Sequence, residues 1–154
     1  MLAINEILEY LIFKTLELNK KHLINDRVAI NYSAIFCQND DEFKVFNQEA
    51  SQIGTIIEET PTGPLYKFYN PIQTIIGPLW LMKIRKPYAT HPQRGDIDFT
   101  LADYNSFKSK RLSDAQYFKL IDRINFEMIE LKDPDFDVMS YFSNIPLTIQ
   151  LGIN

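Results

Sequence analysis

Apolar positions recur at helical spacing over residues 3–24, with Ile4, Ile7, Leu8, Leu11 and Ile12 on one stripe. Lys20, Lys21 and His22 follow at the end where the helix dipole favours cations. This predicts a packing helix within an N-terminal segment, 1–27. The pattern then changes period. Val28 to Cys37 is rich in β-branched and aromatic residues and predicts a strand with Ile30, Tyr32, Ala34 and Phe36 on one face. Asn39 followed by Glu42 has the capping-box spacing, and Phe43, Phe46, Ala50 and Ile53 continue a helix that Gly54 ends. Short strands are expected at Thr55–Glu59 and Leu65–Asn70, with a Pro61–Pro64 turn between them.

The stretch from Gly77 to Leu101 holds most of the charge that alternates with apolar residues. Two runs, Leu79 to Lys86 and Gly95 to Leu101, flank a polar loop. Strand alternation places Lys83 and Arg85 on one face and Trp80, Met82 and Ile84 on the other. In the second run it separates Asp96, Asp98 and Thr100 from Ile97, Phe99 and Leu101. One sheet face would then carry two cations and two carboxylates. Beyond Leu101, Asp103 is positioned to cap a short helix containing Tyr104 and Phe107. Ser113 and Gln116 open a second helix through Tyr117, Ile121, Ile124, Met128 and Leu131, and a short helical piece is expected over Phe136–Phe142. Leu147, Ile149, Leu151 and Ile153 alternate as in a final strand. The expected whole is α+β: a βαβββ-type module whose curved sheet forms an open half-barrel, flanked by N-terminal and C-terminal helices. The reading is of one domain over 1–154, with the module and its following strand at 28–101 and helices plus a final strand at 102–154.

Composition narrows the function classes. With 154 residues, 45% of them hydrophobic and 23% charged, the chain can bury a core. A net charge of −4 gives no basis for general nucleic-acid binding. One cysteine, Cys37, suits a reducing compartment, and Glu9, Lys14 and Glu17 interrupt the first apolar run, against a signal peptide or membrane span. A cytoplasmic protein without membrane contact is therefore expected. There is no P-loop, dinucleotide glycine pattern, nucleophile elbow, CxxC pair or HExxH. His22 and His91 are the only histidines, too few for a multi-histidine metal centre.

The run from INYSAIF through DDEFKVFNQEASQIG, TIIEET, GPLYKFYNPI and LWLMKIRKP to RGDIDF resembles the YecM-like branch of the vicinal oxygen chelate superfamily, the glyoxalase and bleomycin-resistance fold. The resemblance covers about residues 28–101. It implies paired βαβββ modules around a ligand, and in many members a divalent metal held by His and Glu. Where the YecM-like pattern has a His in its first strand, this chain has Tyr32. Where it has a Glu before Leu-Pro, this chain has Arg85 before Lys86 and Pro87, and the later acidic-His-x-Glu stretch reads Gly95, Asp96, Ile97, Asp98. A guanidinium does not ligate a metal, so no metal and no cofactor are expected.

Three readings follow. In the first, Tyr32, Tyr66, Tyr69, Lys83 and Arg85 bind an anionic or aromatic small molecule. In the second, Asp96 or Asp98 is the general base of a lyase or isomerase. In the third, the four charges pair across the sheet as a structural network. Because strands after Leu101 look too short for a complete second module, a homodimer or a covering helix is expected to protect the open sheet.

Overall fold

The computed structural model describes residues 2–153. Its elements run α1 (Ile4–His22), β1 (Val28–Phe36), α2 (Asp40–Ile53), β2 (Gly54–Thr60), β3 (Gly63–Thr74), β4 (Gly77–Arg85), β5 (Gly95–Leu101), α3 (Tyr104–Arg111), β6 (Phe118–Asp122), β7 (Glu127–Leu131), β8 (Val138–Asn144) and α4 (Leu147–Gln150). All eight strands form one curved, unclosed sheet in the order β2-β3-β4-β1-β5-β8-β7-β6. The fold is α+β with helices at both ends.

That order reads the same from either edge toward the middle. β1-α2-β2-β3-β4 is one βαβββ module and β5-α3-β6-β7-β8 is a second. In each, the first strand pairs parallel with the last, and the two first strands meet antiparallel at the centre. The second module, expected to be incomplete, is therefore present in full, and the argument for a homodimer from a missing half falls away.

Three elements differ from expectation, each for a tertiary reason. The helix expected from Ser113 to Leu131 is a turn followed by the β6–β7 hairpin. Ile124, counted in the helical stripe, is fully exposed at the hairpin tip, which Arg123 N–H closes by donating to the Phe126 carbonyl at 2.9 Å. In β7 the residues that pack into the core are Ile129 and Leu131, two apart as a strand requires, and β6 adds Phe118. The helical piece expected over Phe136–Phe142 is β8, buried on both faces, so it lacks the polar alternation that marks a half-exposed strand. The final strand expected from Leu147 is α4, a short turn after Pro146. Asn31 of β1 holds it, donating to Thr148 Oγ1 at 2.7 Å and accepting from Thr148 N–H at 3.2 Å.

The convex face of the sheet carries the core, with Ile35, Met82, Ile84, Ile97, Phe99 and Phe142 packed beneath the helices through Leu11, Phe46 and Phe107. Asn39 caps α2 by accepting from Glu42 N–H at 2.8 Å. Glu42 itself reaches Gln38 N–H rather than the cap residue, and accepts both arms of Arg94 at 3.0 and 3.1 Å. This fork ties the start of α2 to the residue that leads into β5. The next residue, Gly95, must be glycine because a Cβ there would collide with the Ala34 carbonyl oxygen.

Candidate functional site

The concave face is set by register. A bulge at Asn31 shifts β1, so Ile30 pairs with Phe99 while Tyr32 pairs with Asp98. Ile30 thus faces the helices, opposite Tyr32, rather than sharing its face as simple alternation implies. From Tyr32 onward the alternation holds. Lys83, Ala34 and Asp96 form one row across β4, β1 and β5, and Asp96 is followed in β8 by Met139. Leu81, Tyr32, Asp98 and Tyr141 form the next row. Arg85 pairs in register with Phe36.

These rows floor a cavity of about 240 Å³ lined by Tyr32, Ala34, Lys83, Arg85, Asp96 and Tyr141, with Thr62 and residues of the β6–β7 hairpin closing its sides. In a flat sheet β4 and β6 would lie five strand spacings apart, on the order of 24 Å. That both line this small cavity is the direct expression of the curvature. Ala34 leaves the space between Lys83 and Asp96 open.

Of the residues singled out from the sequence, Tyr32, Lys83, Arg85 and Asp96 line the cavity. Asp98 lies on the same face one row deeper, fully buried, and accepts from the Ser143 hydroxyl. Tyr66 lies in the helix-side core, its hydroxyl donating to Asn47 Oδ1 at 2.7 Å. Tyr69 is 63% exposed and is not part of the cavity wall. The structure adds Tyr141, Thr62 and Arg123. Tyr141 and Arg123 were hidden in segments read as helices, and Thr62 in a turn read only for its prolines.

The electrostatics of the cavity are lopsided. Among the described residues no ion pair joins Lys83, Arg85 or Arg123 to any carboxylate. Lys83 Nζ donates to Thr62 Oγ1 at 3.2 Å, and the Arg85 guanidinium lies 4.3 Å from the centroid of the Phe36 ring. Burial, with Arg85 adding repulsion, lowers the Lys83 pKa. Burial pushes Asp96 up to about 8, reinforced by Asp98 and opposed by Arg85 and Lys83. Burial pushes Asp98 up to about 7 against the bonds from Ser143. One oxygen of each carboxyl, Oδ1, has no partner. Burial thus favours the protonated form of Asp96, in which it offers a hydrogen-bond donor rather than charge.

A divalent metal does not fit this donor set. Among the described residues no three His, Cys, Asp or Glu side chains are grouped as ligands; Asp96 is the one carboxyl in the cavity lining, it lies beside Lys83 and Arg85, and burial raises the pKa of both Asp96 and the deeper Asp98.

A solved structure described as structural-genomics Protein EC4020 superposes with a TM-score of 0.71 at 15% identity, over 96% of this chain and 90% of that one. It shares the fold. A glyoxalase/bleomycin resistance protein/dioxygenase superfamily member from Vibrio splendidus 12B01 matches at a TM-score of 0.41 and 11% identity, over 77% of this chain and 97% of that one. No protein-family model matches the sequence, and no curated protein matches it. Among the described residues no helix is long and apolar enough to cross a membrane.

Proposed function

We propose that the concave face binds a compact anionic small molecule, in a half-barrel of vicinal oxygen chelate, YecM-like type whose metal site has been replaced by a cationic one. The observation that carries this reading is the placement of Lys83, Arg85 and Arg123 around one cavity with no carboxylate partner. Lys83 and Arg85 are half-buried and Arg123 is exposed, so the two inner cations are partly desolvated without a counter-charge, a cost that an anionic ligand offsets. Arg85 supplies a planar fork suited to a carboxylate or phosphate, while Lys83 supplies a point charge. The protonated Asp96 and the Tyr32 hydroxyl add donors or acceptors at the floor. A volume of about 240 Å³ falls below the ~300–1,000 Å³ typical of drug-sized ligands, so the part of the ligand held here is small.

A second reading, proton-transfer catalysis, is favoured by Asp96. Its side chain lines the cavity, is 5% exposed, and keeps one oxygen unpartnered. A carboxyl with its pKa near working pH is suited to general acid–base work on a bound anion. The two readings separate by experiment. Thermal-shift screening against small carboxylates and phosphates, repeated on Arg85→Ala, is expected to give hits that the variant loses while its own melting temperature stays close to the parent's. Wild-type melting unmoved by any anion would defeat the binding reading. Turnover of a hit that Asp96→Asn cuts by about a hundredfold or more, with binding retained, would establish the second.

A further inference from the structure

A second concave space lies on the other side of Arg85 and Thr62. This space of about 470 Å³ is lined by Pro61, Thr62, Arg85, Lys86, Pro87, Tyr88 and His91. Arg85 and Thr62 belong to the walls of both spaces. Arg85, His91 and Tyr88 in the wall of the outer chamber are linked through Phe36, which lies behind it, in a relay of flat groups. The Arg85 guanidinium lies over Phe36 at 4.3 Å, Phe36 meets His91 edge-on at 6.1 Å, and His91 packs against Tyr88 at 5.1 Å. The chamber is also held in shape by backbone bonds. His91 N–H donates to the Tyr88 carbonyl at 3.0 Å, and Lys86 N–H donates to the Thr62 carbonyl at 2.8 Å. Tyr88, packed on one side by His91, nonetheless remains 63% exposed, so much of its ring is open to the concave space.

We infer that the outer chamber is the subsite for a planar, aromatic portion of the same ligand whose anionic head the inner cavity holds. The inference rests on the proposed anion-binding reading and deepens it by naming the ligand class: an aryl-bearing carboxylate or phosphate, longer than the inner cavity can accept. Three features support a flat tail over a flexible one. Two prolines and the Arg85 guanidinium present flat or rigid faces, Tyr88 and His91 offer rings for offset or edge-on packing, and Arg85, in the wall common to both spaces, is placed to anchor the head. The inner cavity alone, at about 240 Å³, is too small for a drug-sized molecule, whereas the outer space of about 470 Å³ beside it falls within the usual range.

The test compares three probes, acetate, hexanoate and 3-(4-hydroxyphenyl)propionate, titrated into the full chain and followed by amide chemical shifts. The aryl acid is expected to bind about tenfold tighter than hexanoate, the order of one aromatic packing interaction. Tyr88→Ala should remove that advantage and leave acetate unchanged, while Tyr88→Phe should retain it. Equal affinity for hexanoate and the aryl acid, or a Tyr88→Ala loss that falls equally on acetate, overturns the aromatic subsite and leaves the anion site standing. If no probe perturbs amides near Lys83 and Arg85, the anion-binding reading and this inference fail together.

Discussion

Lys83 and Asp96 lie in one row of the sheet, both in register with Ala34 and separated by it. Their backbones are thus two strand spacings apart, about 9.5 Å, and the side chain between them is a single methyl group. An ion pair across adjacent strands is the arrangement that two neighbouring charged runs suggest. The insertion of β1 between β4 and β5 replaces it with an open floor flanked by opposite charges. A double-mutant cycle on stability with Lys83→Ala and Asp96→Asn should therefore give a coupling energy within about 0.5 kcal/mol of zero. A coupling well above 1 kcal/mol would restore the structural-network reading.

Asp96 and Asp98 make stability depend on pH in an unusual direction. Both carboxyls rise from 3.8, to about 8 and about 7 respectively, chiefly through burial. A carboxyl with a higher pKa folded than unfolded holds its proton longer in the folded state, so stability falls as pH rises from 3.8 toward the folded value. Asp133 acts the other way. Although burial opposes it, bonds from Lys21, the Asp135 backbone and His22 hold it down to about 2, so its contribution is present above 3.8 and is lost as pH falls toward 2. Urea melts should show greatest stability at about pH 4 to 5, and Asp98→Asn should flatten the decline between there and neutrality. An unchanged profile in that variant would remove Asp98 from the account.

Elemental analysis of the purified protein is expected to find no stoichiometric zinc, manganese, iron or nickel. The physical ground is the cavity's own chemistry: cations at Lys83 and Arg85 repel a divalent ion, and Asp96 and Asp98 would have to give up protons that burial favours. About one metal per chain, lost in Asp96→Asn or Asp98→Asn, would reverse this.

Local chemistry in the chain determined a good deal. The α1 stripe, the Asn39 cap with Gly54 as the stop of α2 and the Asp103 cap of α3 follow from interactions within a few residues, the β5 alternation over Gly95–Leu101 is a backbone property of the strand, and the structure has each of them. The grouping of Lys83 and Arg85 with Asp96 and Asp98 on one face was also legible, because alternation in a strand is a backbone property. Which strands are neighbours is not local. β1 lies between β4 and β5 because two βαβββ modules join through their first strands, and nothing in the residues from Gly77 to Leu101 records that. The second module was misread for the same reason. Tyr117, Ile121, Ile124, Met128 and Leu131 satisfy a helical period, but burial rather than spacing selects the conformation. The exposed edge of β8 offered backbone pairing to Glu127–Leu131, and the hairpin buried Ile129 and Leu131 while leaving Ile124 in solvent. Curvature, which brings Arg123 and Tyr141 to the cavity, is a property of all eight strands together and has no signature in any one of them.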